Sequence, residues 1–342
     1  MQTFSAPWIL IDFMLESILL KLELFAFFFI EDKVDKTLKR YVCFGFDERD
    51  DIMLEILMKP KRAERRPWEM FFVGLVWASV SLALVVFVFG KDSILKEGGG
   101  LLLVTFTVIC CMPFMYYLIK LEEGKDIEIN DSGKLIKEHS KAVHALMWMF
   151  LGLIVAFSFW YSVAPDVVGP NFNFQIKTFC AINNPANFNY CIEQNSIPIG
   201  TGKVAGTDAV LGIFANNVYV LIFTILFSLA FGAGAMFILV WNASVIAAAI
   251  GIFTNKSLAQ LPIGLFRYMI HGVPEIAAYF VGALAGGIVS VAVIRRDLRG
   301  EGTWAILQDS LLMIVIAIMI LIVAALMEVY FTPLFFLNLK NI

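Results

Sequence analysis

The sequence predicts an all-α protein, a polytopic bundle of about seven transmembrane helices. Three observations carry this expectation. Of 342 residues, 60% are hydrophobic and 16% charged, where soluble domains are roughly half apolar and a quarter charged; mean hydropathy is +0.81. The 32 Phe and 7 Trp exceed what a soluble core would bury and suit lipid-facing surface and interfacial belts. Finally, several uncharged runs reach the ~20 residues that a helix needs to cross a bilayer.

Residues 1–58 form an N-terminal extension to a membrane domain over 59–335. Within the extension, residues 7–30 are apolar but interrupted by Asp12, Glu16, Lys21 and Glu23. That pattern reads as an amphipathic helix lying on the membrane, because a crossing would bury charges at ~2.5 kcal/mol each near the centre. No positive n-region or small-residue cleavage site marks a signal peptide. The spans then follow in order: 70–89, 101–119, 142–164, two crossings within 217–253, 276–294 and 311–327. Gly232, Gly234, Trp241 and Asn242 mark the expected break between the paired crossings. Residues 257–271, with Pro262, Arg267 and His271, are too short and polar to span and read as a re-entrant piece or half-helix packed against protein.

Basic residues set the expected orientation. Lys59, Lys61, Arg62, Arg65 and Arg66 place the flank of the first span in the cytoplasm. The loop 120–141 carries five lysines, and Arg295, Arg296 and Arg299 end the sixth span; both belong on the same side. The loop 165–210, with Lys177 and Lys203 alone, belongs outside, and parity agrees. The protein is thus expected in the cell membrane as a multi-pass protein, with the bilayer as its first partner.

Arg267, His271 and Glu275 stand one helical turn apart at the threshold of an apolar span. Pro274 withholds a donor from Ile270, so the helix kinks there or starts anew with Glu275 in its first turn. The plain reading is helix-end electrostatics at headgroup level. The functional reading is a polar cluster inside the bundle, with Asn216, Asn217 and Asn242 as partners, since ionisable groups at membrane depth face a partner or a cavity. Ala278, Gly282, Gly286 and Ser290 form a small-residue stripe, and Ala243, Ala247 and Gly251 form another. Small stripes let helix backbones approach, and the expectation is that these two meet within the chain.

Phosphate-loop, zinc-protease and serine-hydrolase motifs are lacking, three His give little basis for a metal site, and no cofactor is indicated. His139 and His144 read as interfacial residues. Of five cysteines, Cys110 and Cys111 lie mid-span as packing residues. Cys180 and Cys191 share the outside loop, which suggests a disulfide closing a small ring. The net charge of −3 speaks against a general nucleic-acid binder.

Two stretches carry a family resemblance. FANNVYVLIFTILFSLAFGAGAMFILVWNASVIAAAIGIF over 214–253 resembles the Asn-containing helix pair of the SpoIIM family, the stage II sporulation protein M type, with its later Asn element at Asn242. RYMIHGVPEIAAYFVGALAGG over 267–287 resembles that family's P-H-G-x-x-E segment and Gly-rich helix, with Ile270 where many bacterial members have Pro. KPKRAERRPWEMFF over 59–72 and KLEEGKDIEI over 120–129 resemble archaeal members. The resemblance implies an integral membrane platform, with Asn242, His271, Gly272 and Glu275 at matching positions. Its bacterial relatives act in engulfment as scaffolds that localise cell-wall-degrading partners.

The expected function is therefore a non-catalytic scaffold for envelope proteins. The alternative is a transporter or transporter subunit with a midplane site at broken helices near Asn242 and Pro274. An enzyme lacks a recognisable nucleophile and base pair.

Overall fold

In the computed structural model the described residues are 59–332, apart from 91, 93–94, 96–97, 130, 184–187, 195–206, 232–233, 255–257 and 295–300. All belong to one unit of the chain, residues 57–342. The expected amphipathic segment 7–30 lies outside the described residues.

Among them the regular elements are helical. A short helix α1 (Pro60–Arg65) begins with Pro60, whose missing N–H costs nothing at a first turn. Then come α2 (Glu69–Leu84), extended by a π-helical turn Val85–Phe89, α3 (Gly99–Glu128) and α4 (Ser132–Val163). Three shorter helices follow: α5 (Pro165–Val168), α6 (Asn173–Asn183) and α7 (Phe188–Gln194). The second half holds α8 (Thr207–Phe231), α9 (Ala235–Phe253), α10 (Leu261–Ile294) and α11 (Glu301–Leu326) with its terminal π-helical turn Met327–Phe331. Seven of these are long and apolar enough to cross a membrane.

Burial divides the seven into layers. The spans of α4, α9 and α10 are 61%, 67% and 72% buried, while those of α2, α8 and α11 are 33%, 22% and 33% buried. The first three are the interior of the bundle and the second three its outer staves. The sequence shows why. On α2 the exposed Phe72, Val76, Val80 and Leu84 recur every fourth residue, an apolar outer face suited to lipid. On α9 and α10 alanines and glycines fill the interior, and the fully buried rings of Phe114, Phe150, Phe157, Tyr161, Phe172 and Phe280 occupy the space between helices.

Three expectations change here. The segment 257–271 is not a separate half-helix: from Leu261 it is continuous with the span, and α10 runs through Pro274 for 34 residues. Inside a bundle, neighbouring helices can satisfy the carbonyl that Pro274 frees. Helix α8 ends at Phe231 and α9 begins at Ala235, so Trp241 and Asn242 sit inside α9 rather than at its edge. And 120–141 is scarcely a loop. Helix α3 continues to Glu128, and α4 begins at Ser132 behind Asp131, whose side chain accepts from Gly133 N and Lys134 N as an N-cap.

The described residues of 165–194 are likewise helical. Gln175 on α6 donates from Nε2 to Gly100 O at 3.0 Å, and Phe172 stacks edge-on to Phe157 and Tyr161. These contacts fix a cap over the start of α3 and the end of α4. The opposite end of α3, ~45 Å away at 1.5 Å per residue, meets α1 and the start of α4.

Candidate functional site

Two polar constellations stand out. The first joins α8 to α10. Asn217 Nδ2 donates to Glu275 Oε1 at 2.7 Å, and Asn216 Nδ2 reaches Asn217 Oδ1 at 3.4 Å. Asn217 is buried and Glu275 partly so, whereas Asn216 is exposed. A turn before Glu275, His271 Nδ1 meets Thr332 Oγ1 at 3.4 Å, beyond the π-helical turn of α11. Glu275 and His271 thus tie α10 to both of its outer neighbours.

The other expected members go elsewhere. Asn242 Nδ2 donates to Ile238 O within α9, at 2.7 Å. Its amide is therefore satisfied by its own helix, and it does not join the cluster expected around Glu275. Arg267 lies with its guanidinium 4.8 Å from the Phe253 ring, a cation–π contact across the α9–α10 turn.

The small-residue stripe of α10 packs inside the chain, but against α8 rather than α9. A Cβ on Gly282 would collide with Leu221 Cδ1, and one on Gly286 would stand 2.7 Å from Ile225 O and 3.0 Å from Ser228 Cβ. Ser228 Oγ donates to Ala283 O at 2.5 Å. These contacts advance together along both helices, so α8 and α10 run parallel. Ala278 and Ser290 are buried on the same helix. The second stripe has a different neighbour: Gly251 faces the ring of Tyr161 on α4, and Ala243 and Ala247 are fully buried. Adjacency in sequence suggested that the two stripes meet. In three dimensions each was already committed to another helix.

The second constellation was not foreseen. His139, expected at the interface, is buried on α4 with Nδ1 2.6 Å from Glu122 Oε2 and Nε2 3.2 Å from Asp126 Oδ1. Lys125 Nζ donates to Glu122 Oε1 at 2.8 Å and to Glu64 Oε1 of α1 at 2.6 Å. Glu138 stands 4.0 Å from Lys125 and is bonded to Lys141. Burial and the nearby Glu122 carboxyl, against the pull of Lys125, push the Glu64 carboxyl up to about 7. His144, one turn on, is exposed and bonded to Ser140 O. A signal for this network was present: Glu122, Lys125 and Asp126 have the i, i+3, i+4 spacing that collects charges on one helix face.

In the cap, Cys180 and Cys191 are joined by a disulfide with Cα atoms 5.8 Å apart. Among the described residues no group of three or more His, Cys, Asp or Glu could hold a metal ion. An apolar recess of about 170 Å³ opens between α4 and α10, lined by Met147, Trp148, Leu151, Met269, Val273 and Ile276 among others.

Comparison with known proteins bears on the first constellation. The chain is 30% identical over 126 residues to the uncharacterized protein MJ0793 of Methanocaldococcus jannaschii, an alignment covering 35% of this chain and 69% of that protein. No solved structure matches it. Residues 145–333 match Stage II sporulation protein M, a stretch that holds Asn217, His271 and Glu275 but not Glu122 or His139. The chain belongs to the SpoIIM family.

Proposed function

We propose that the protein is a non-catalytic platform of the cell envelope that holds partner proteins at the membrane. The observation that carries this reading is the bond between Asn217 and Glu275. A carrier would need its polar groups open to water from alternating sides. Here the acidic residue of α10 is engaged with a buried amide, and the recess beside that helix has an apolar lining. Both favour a polar pair that fixes helix positions. Affinity purification in mild detergent tests the reading. Recurrent envelope proteins should accompany the chain. If it instead purifies alone, and proteoliposomes show a solute flux abolished by Glu275→Gln, the carrier replaces the platform.

The same proposal sets the flank of α2 in the cytoplasm and the disulfide cap outside. Support comes from the cap lying at the end of α3 opposite the basic α1, since disulfides persist in oxidising compartments. An impermeant thiol reagent should label Cys180 or Cys191 in intact cells only after reduction. Labelling that also requires permeabilised cells would reverse the orientation.

A further inference from the structure

We propose that the recess between α4 and α10 binds one anionic phospholipid, seating a hydrocarbon chain there and setting the phosphate against the basic start of α4. The first observation is a single face of α4. Lys137, Lys141, His144, Trp148 and Leu151 follow the alternating four- and three-residue spacing of one helical stripe. The two lysines and His144 are exposed, and from His144 onward the stripe lines the recess. It passes from cationic to apolar in the order in which a phospholipid passes from headgroup to chain.

Depth agrees with that order. Trp148 meets the Phe71 ring edge-on, close to where Arg62 and Arg66 hold Glu69 at the start of α2. Charge gives way to apolar sequence at this level, and Trp favours such a boundary. The lining covers 144–151 on α4 and 269–276 on α10, ~10 Å of each helix at 1.5 Å per residue. One leaflet supplies ~15 Å of a hydrocarbon core ~30 Å thick. A volume of about 170 Å³ has room for several methylene groups, since a cavity of about 150 Å³ takes up benzene.

The glycines of α10 supply a second, independent observation. A Cβ on Gly264, Gly282, Gly286 or Gly287 would stand no more than 2.8 Å from a neighbouring atom, so close packing excludes a side chain at each. Gly272 differs. Among the described residues a Cβ there would meet only Met269 Cε, at the ordinary contact distance of 3.5 Å. Glycine inside a helix is less stable than alanine, and no tight neighbour among those residues requires this one. Gly272 lines the recess, and its missing side chain leaves room there.

The headgroup end carries chemistry suited to phosphate. Lys137 and Lys141 present ammonium groups, that of Lys141 held by Glu138 at 2.6 Å. His144 Nδ1 donates to Ser140 O at 2.7 Å, which leaves Nε2 as its second polar atom. Helix α1 packs on α4 and adds the exposed Lys61 and Arg65 to the same end of the bundle. Basic side chains at this level attract an anionic headgroup more than a zwitterionic one.

Native mass spectrometry of the full chain in detergent, titrated with phosphatidylglycerol or with phosphatidylcholine of matched chains, tests the site. The first phosphatidylglycerol should bind roughly tenfold more tightly than the first phosphatidylcholine. Lys137→Gln combined with Lys141→Gln should erase that preference. Gly272→Leu takes the place of about two methylene groups in the recess and should weaken the first site roughly tenfold for both lipids. Equal binding of the two lipids by the wild type overturns the proposal. So does a first affinity untouched by Gly272→Leu, which would mean an adventitious lipid held by the basic flank only. Should Gly272→Leu not fold, the wild type in nanodiscs decides, with a phosphatidylglycerol that carries a diazirine in its chain. Light should attach it to peptides holding 147–151 or 269–276. Absence of label from both stretches contradicts the site, whether general lipid or the chain's own residues 1–58 cover the recess.

Discussion

The two polar constellations solve one problem in opposite ways. At the α1 end of the bundle, five ionisable groups from three helices are gathered within hydrogen-bond reach of one another. Between α8 and α10, a single carboxylate is met by a neutral amide. The difference follows from setting. Near a helix end, charges can be buried together because each cancels much of another's desolvation. Along an apolar helix, isolated ionisable groups are so unfavourable that few are present, and Glu275 is bonded to the buried Asn217 amide. The sparse pair falls within the stretch matched to SpoIIM, whereas Glu64, Glu122, Lys125, Asp126 and His139 precede it.

The largest expected effect lies in the dense network. Lys125→Met removes the ammonium that both Glu64 and Glu122 contact, and should cost about 3–5 kcal/mol, the range for breaking a buried ion pair from one side. Thermal unfolding in detergent would read it. A loss below about 1 kcal/mol would mean that the network is solvated like a surface pair.

Next comes the seam beside the sparse pair. Gly286→Leu forces a side chain into Ile225 O and Ser228, and overpacking of this kind typically costs about 1–3 kcal/mol. The variant should lose thermal stability while α9 keeps its contact with Tyr161. A stable monomer that has lost self-association would instead place the stripe at a seam between copies.

At the pair itself two substitutions separate charge from hydrogen bonding. Glu275→Leu leaves the buried Asn217 amide without this acceptor, for about 1–3 kcal/mol. Glu275→Gln keeps a carbonyl oxygen in its place and should cost less. Equal losses would show that the negative charge, not the bond, stabilises the pair. Smallest of all is Asn242→Ala: its bond runs to its own helix, and back-bonding of that kind adds little to stability. The expected change is within about 0.5 kcal/mol.

Run length and bounding charge made the seven spans legible, because the hydrocarbon thickness imposes a length that sequence cannot evade. The stripe of Ala278, Gly282, Gly286 and Ser290 was legible as a packing face, but its partner was not. Periodicity gives the face of a helix and says nothing of which neighbour covers it, and parallel packing of α8 with α10 skips the helix between them. Glu275 was legible as a group needing a partner. Asn217 and Asn242 were equally suitable on chemistry, and only the fold chooses between them. The network around His139 was missed for a different reason. Its charges lie past the apolar runs, so 120–141 reads as a polar loop, although Asp131 is an N-cap and the i, i+3, i+4 charges of 122–126 are a helical signal.

The central claim is that Glu275 is held by α8 and not by α9. Cross-linking tests it directly, in a background where Cys43, Cys110 and Cys111 are replaced by Ala. The pair Asn217→Cys with Glu275→Cys should join rapidly through a short bifunctional thiol reagent, within one chain, while Asn242→Cys with Glu275→Cys should not. Rapid joining of the second pair, or failure of the first in folded protein, would contradict the account.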